Sequence, residues 1–263
     1  MRWILTMLLC VALPATGISS GAMRFDGVDD YVDLDAHISD FSSLSEGAIS
    51  VWFKTYSGLT RSILSSADEA EINSDLLLWL GADDKIKFRT RENAIQSLSL
   101  STDSTYSDNQ WHHVVFSVDS SGNTLYVDGS SATVTYSVGN SVTQTFFNDV
   151  TGLDNLRIGN EERSDGNKWF FEGSLDEVLI YNRSLSAEEV AAMYSSGGAW
   201  HPKTGLVSRW SMDNNGVSTG QAHANGSTIK DSHGSNDGTV SDGADGSMTL
   251  DGTSPVRQRR GRR

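Results

Sequence analysis

The stretch from Trp169 to Gly198, WFFEGSLDEVLIYNRSLSAEEVAAMYSSGG, constrains the fold most, because both a strand and a helix can be read from it with a cause for each boundary. Phe171 to Tyr181 is rich in large apolar and aromatic residues, contains no proline and ends at Asn182, the composition of a substantially buried strand. Ser186 with Glu189 three residues later forms a capping box. Leu185 and Val190 occupy the hydrophobic-staple positions around it, and Gly197 supplies the stop. Val190, Met193 and Tyr194 share one face, enough to hold a helix of about two to three turns against a sheet.

The rest of the chain reads as short strands. Met23 to Leu34 alternates apolar residues about an Asp26-Gly27 turn, predicting a hairpin or bend. Ala48 to Thr55, Arg61 to Ser65, Asp75 to Leu80 and Lys85 to Arg89 follow as β-rich runs separated by Ser, Gly, Asp and Asn. Trp111 to Val118, Thr124 to Val127 and Ala132 to Tyr136, joined by turns at Asp119 to Asn123 and Asp128-Gly129, predict a three-stranded meander, and Leu156 to Gly159 a further brief strand. About a dozen such strands with a single late helix predict an all-β, two-sheet antiparallel sandwich.

Charge and cysteine content narrow the environment. The formal net charge is -14, yet Arg2 and the arginines at 257, 259, 260, 262 and 263 lie at the two ends, so residues 18 to 256 carry -20. Such a surface repels nucleic acid and anionic lipid and favours cations. Met1 to Gly17 has a basic start, an apolar run from Trp3 to Leu13 and small residues at Ala15 and Gly17, the pattern of a secretory signal peptide ending at Gly17 or, alternatively, Ala22. The run is shorter than the roughly 20 residues a membrane span needs, so no membrane insertion is expected. Cys10, the only cysteine, lies within that segment, and Leu9 before it is too bulky for a lipidation site. A secreted chain without disulfides is therefore expected, stabilised by its core and by bound ions.

FDGVDDYVDL, AISVWFKT, NQWHHVVFSVDSSGNTLYVDG, LRIGN and FEGSLDEVLIYNRSLSAEEV, in this order and spacing, resemble the laminin-G-like jelly-roll module of the concanavalin A-like lectin/glucanase superfamily over residues 23–198. The resemblance implies a curved two-sheet jelly roll, extracellular and usually a non-catalytic binding or adhesion unit, often with a calcium ion at its rim. Beyond it, SMTLDGTS (247–254) repeats AMRFDGVD (22–29), and GLVSRWSMDNN and IKDSHGSNDGTV resemble the lead-in to that strand. Residues 205–252 thus resemble the truncated start of a second module, followed by a basic tail at 253–263. The first module lacks a lead-in of its own. The segment from Leu206 to Met212 places Leu206, Ser208, Trp210 and Met212 on one face and is expected to dock on the open edge of the first module, within one chain or between chains as a homo-oligomer.

Candidate site residues come with competing readings. Asp26, Asp29, Asp30 and Asp33 crowd the first strand and Asp176-Glu177 the last. Because the family brings the ends of those strands together, Asp26 and Asp176 would hold a structural Ca2+; equally, Asp26 suits its Asp-Gly turn and Asp176 a backbone cap. Adjacent His112 and His113 point to opposite faces of a strand and cannot share one metal. Glu172-x-Ser174-x-Asp176 is close to the Glu-x-Asp-x-Glu of glucanases on this fold but lacks its central Asp, so a glycoside hydrolase is the lesser reading. Trp79, Trp169 and Tyr106 are candidate platforms for an extracellular carbohydrate, with core packing the alternative for each. A surface-protein partner, or a structural protein assembled by strand exchange, are the other expectations. Asn182 and Asn225 head glycosylation sequons.

Overall fold

A computed structural model describes residues 21–56, 58–71, 73–213, 224–242 and 248–251. The signal-like segment, the basic tail and the junctions between these ranges lie outside the described residues. The strands run in chain order as β1 (Ala22–Asp26), β2 (Asp30–Asp33), β3 (Gly47–Lys54), β4 (Arg61–Ala67), β5 (Asp75–Leu80) and β6 (Ile86–Glu92). Then come β7 (Ile95–Thr102), β8 (His112–Asp119), β9 (Gly122–Val127), β10 (Ser130–Ser131), β11 (Val134–Val138), β12 (Arg157–Ile158), β13 (Glu161–Arg163), β14 (Gly166–Lys168) and β15 (Glu172–Tyr181). Helix α1 (Ala187–Ser196) precedes β16 (Leu206–Trp210), β17 (Thr228–Ile229), β18 (Gly238–Asp242) and β19 (Thr249–Asp251). No helix among the described residues is long and apolar enough to cross a membrane.

Two large antiparallel sheets result, as the alternation predicts. The first has the order β10-β9-β8-β3-β15-β1-β19 with β16 also on β15; the second runs β11-β7-β6-β5-β4-β12-β2-β18-β17. Their inner faces enclose one core, in which Phe88 stacks on Phe116 and Phe25 meets Phe171 edge-on at 6.2 Å. Asp26-Gly27 is a bend rather than a hairpin, since β1 belongs to the first sheet and β2 to the second. The expected meander is corrected at its third strand. β8 and β9 continue into the two-residue β10, but β11 crosses to pair with β7 in the other sheet, and β7 itself (IQSLSLST) is a strand that composition alone hides among serines.

β15 organises the first sheet. On one edge it pairs with β3 along nearly its whole length. On the other edge two strands lie end to end, β1 against Glu172 to Leu175 and β16 against Val178 to Tyr181. The change of partner coincides with a bulge: Asp176 faces Trp52 and Leu179 faces Ser50, and Glu177 between them takes a positive φ of 48°. The Glu177 carboxylate receives both arms of Arg209 from β16, with Nε at 2.6 Å. The segment after α1 is thus paired within its own chain, through β16 on β15, β18 on β2 and β19 on β1. β19, the sequence repeat of β1, lies beside it antiparallel, with Met23 opposite Leu250.

Helix α1 packs on the outer face of the first sheet. Ser186 and Glu189 form the capping box, and Gly197 closes the helix at φ 64°. Leu185, Val190 and Met193 bury against Ala48, Val115, Leu179 and Tyr181, and Tyr194 stacks on Trp52 at 5.6 Å. On the outer face of the second sheet, Arg157 is buried beneath carboxylates, 2.5 Å from both Asp33 and Asp35 and bonded to Glu162. Burial dominates at Asp35 and pushes its carboxyl up to about 7, Arg157 opposing it.

Two outcomes follow from this packing. Trp210 is fully buried, donates Nε1 to the Asn236 carbonyl at 2.7 Å and sits in the core shared by both sheets. Trp210→Ala should therefore destabilise the whole protein by about 3–5 kcal/mol in denaturant titration; a loss confined to residues after α1 would contradict a single cooperative core. For Asp35, the folded state binds more protons than the unfolded one between pH 3.8 and about 7, so this group lowers stability as pH rises through that window. Asp35→Asn should gain on the wild type between about pH 4 and about pH 7 and hold level above it, whereas a pH-independent difference would contradict the raised carboxyl.

Candidate functional site

Strand register builds a hollow at the rim of the first sheet. Ser174 of β15 lies between Arg24 of β1 and Lys54 of β3, making a cross-strand row of cation, hydroxyl and cation. Two residues along, on the same face, Asp26 stands opposite Glu172. With Tyr56 and Asn109 these side chains enclose about 200 Å³. Glu172 is held on both oxygens: Arg61 donates at 2.8 Å and the Tyr56 hydroxyl at 3.0 Å. That hydrogen bond to a carboxylate is the main cause that raises the Tyr56 phenol above its usual value. Tyr56 is 59% exposed, and Arg24 is exposed, its guanidinium taking part in none of the hydrogen bonds or ion pairs among the described residues. The hollow therefore offers an aromatic face beside a guanidinium.

The acidic turn after β1 forms one side of this rim. Single carboxylate oxygens of Asp26, Asp29 and Asp30 lie within 4.8 Å of one another. Asp30 Oδ2 accepts the Asp26 amide at 2.8 Å, Asp26 Oδ1 accepts that of Val28 at 2.7 Å, and Gly27 turns the chain at φ 86°. Three clustered carboxylates are the hard oxygen donors that Ca2+ takes, so the residues fit such an ion. Asp176 is not among them. It stands four residues along β15 from the partner of Asp26, roughly 13 Å away at the rise of a strand, is buried, and accepts the Glu177 amide at 2.9 Å. The expectation that Asp26 and Asp176 share one ion overlooked this antiparallel register, which separates them.

The three expected platforms have different surroundings. Trp79 and Trp169 are brought together on the outer face of the second sheet, their rings 5.2 and 5.7 Å from the Arg89 guanidinium. Arg89 is itself fixed by Asp75 at 2.6 Å and Glu161 at 3.1 Å, and Arg163 covers Trp169 at 5.5 Å. Trp79 is 9% exposed, so this pair clamps an ion-pair network. Tyr106 lies elsewhere, edge-on to His112 at 5.1 Å. The two histidines diverge as their alternation requires: His112 binds Asp128 at 2.9 Å and buried His113 binds Ser50 at 2.8 Å. Tyr56 was missed because KTYSG reads as the polar exit of a strand; its signal is that it falls two residues beyond Lys54, on the outward parity of β3.

Comparison with known proteins agrees with this architecture. No curated protein matches the chain. Among solved structures, a Ruminococcus gnavus IT-sialidase CBM40 shares 19% identity at a TM-score of 0.57, covering 66% of this chain and 96% of that one. The leech intramolecular trans-sialidase shares 15% identity at 0.56, covering 69% and 29%, and a Bacteroides ovatus protein 15% at 0.58, covering 88% and 59%. At these identities the likeness establishes the fold. The model of the Laminin_G_3 family, described as the concanavalin A-like lectin/glucanases superfamily, matches residues 26–191, which span the bend after β1, both sheets and the first turn of α1. The chain belongs to that family.

Proposed function

We propose that the protein is a secreted, non-catalytic carbohydrate-binding module whose ligand occupies the rim hollow, with Tyr56 against a sugar face and Arg24 and Lys54 toward an acidic substituent. The observation that carries this reading is the Arg24–Ser174–Lys54 row beside exposed Tyr56, which sets two cationic side chains, the exposed Arg24 among them, next to an aromatic face in a chain that is otherwise strongly acidic. The similar R. gnavus module, described as bound to α2,3 sialyllactose, supports an acidic sugar as ligand class. Binding is favoured over cleavage because Glu172 is tied to Arg61 and Tyr56, and Ser174 stands where a central carboxylate would be needed. Ca2+ held by Asp26, Asp29 and Asp30 would stiffen the turn that carries one wall of the hollow. Secretion rests on the signal-like Met1 to Gly17.

A charge-assisted hydrogen bond contributes about 1.5–3 kcal/mol, so Arg24→Gln should weaken binding of sialyllactose by tenfold or more in calorimetry. Tyr56→Ala should do likewise, and neutral lactose should bind the wild type no better than the variants. Equal affinity of wild type and both variants would refute this site. Added Ca2+ should raise the melting temperature of the wild type and leave that of Asp29→Asn unmoved; an equal rise in both would place the ion elsewhere.

A further inference from the structure

The opposite end of the first sheet carries a second concavity that the rim hollow does not explain. Lys54, at the C-terminal end of β3, borders the rim hollow. Val118 and Asp119, beside the other end of β3, border a groove of about 640 Å³, well within the size range of small-ligand sites. Its floor is set by register: Ser117 of β8 stands opposite Thr124 of β9, and Tyr126 follows on the same outward face. One wall is the start of α1 with the turn before it, and the other is the loop at Ser141 and Val142.

Both walls are fixed by internal bonds. Leu185 donates its amide to Ser117 Oγ at 2.9 Å, and Arg183 grips Glu189 through two bonds of 2.7 and 2.8 Å. On the other side the Asn123 amide group donates to the Asn140 and Thr143 carbonyls at 2.9 and 2.8 Å. Gly122, at φ 129°, lets the loop approach so closely that a Cβ there would lie 2.0 Å from the Ser141 carbonyl oxygen. The groove is thus pre-shaped, and a ligand would meet little ordering cost in the protein.

Its chemistry differs from that of the rim. The arginine that lines the groove is spent on Glu189, so no unpaired cation faces an anionic group. What remains is the Asp119 carboxylate, which disfavours an anion, and hydroxyls of Thr124, Ser117 and Ser186 about the half-buried Tyr126 ring. Hydroxyls beside an aromatic ring, without free positive charge, suit an uncharged polyhydroxylated ligand. We propose that this groove is a second binding site, for a neutral oligosaccharide, on the end of the sandwich opposite the rim hollow. It rests on its own cavity and register, not on the reading of the rim.

The test is amide chemical-shift mapping of the full chain with a panel of neutral trisaccharides of glucose, galactose, mannose and N-acetylglucosamine. At least one probe should shift residues 121–126 together with 184–189. Thr124→Trp fills the groove without removing a hydrogen bond and should weaken that probe by tenfold or more while the melting temperature holds. Tyr126→Phe should keep binding, and Arg24→Gln should leave it untouched. Absence of shifts for every probe, shifts confined to the neighbourhood of Arg24 and Tyr56, or binding undiminished in a folded Thr124→Trp protein would each overturn the second site; the middle outcome would still leave the rim reading standing.

Discussion

The backbone pairing of β15 on both of its edges is the interaction on which the rest depends. A central strand with an open edge leaves amides and carbonyls unpaired beside the core, and a single short partner cannot cover ten residues. Here the second edge is shared, β1 serving one half and β16 the other. The bulge at Glu177 marks the handover, and Arg209 fastens the later strand to the bulged residue itself. Because β1 and β16 come from opposite ends of the described chain, closing this edge also closes the sandwich. Trp210 reaches the main core through that closure, and Val240 joins the same core from β18 on the second sheet.

The same register sets out the rim. Arg24, Ser174 and Lys54 are neighbours only because β1 and β3 flank β15 at the positions they do; a slip of one residue in any one of these strands would turn its member of the row to the core. Charge then separates the surfaces. Most arginines that could face a ligand are committed within the protein: Arg89 to Asp75 and Glu161, Arg157 to Asp33 and Asp35, Arg183 to Glu189 and Arg209 to Glu177. Such partly buried pairs contribute to geometry more than to stability. Arg24 stays outside these networks, which gives the rim hollow a character that the net charge of the chain does not suggest.

Local features were legible in the sequence. The capping box at Ser186 and Glu189, the glycine stop at Gly197, the buried strand ending at Tyr181 and the divergence of His112 and His113 all depend on spacings of a few residues, where sequence and geometry coincide. What was hidden depends on distant pairing. β11 continues the alternation of a meander yet finds its partner in β7, and Asp26 finds Glu172 rather than Asp176 because antiparallel register counts from the far end of the strand. Trp79 and Trp169 were expected, with Tyr106, as platforms for a sugar; their meeting over Arg89 follows from carboxylates on β5 and β13 that no short motif joins.

Native-state hydrogen exchange on the full chain tests the shared edge most directly. If β1 and β16 complete β15, the amides of Leu206 to Trp210 that pair with Val178 to Tyr181 should exchange at the same slow, globally limited rate as those of β15 and β3. Rapid exchange across Leu206 to Trp210 while β15 and β3 stay protected would contradict it, because the sandwich would then stand without the strand said to close it.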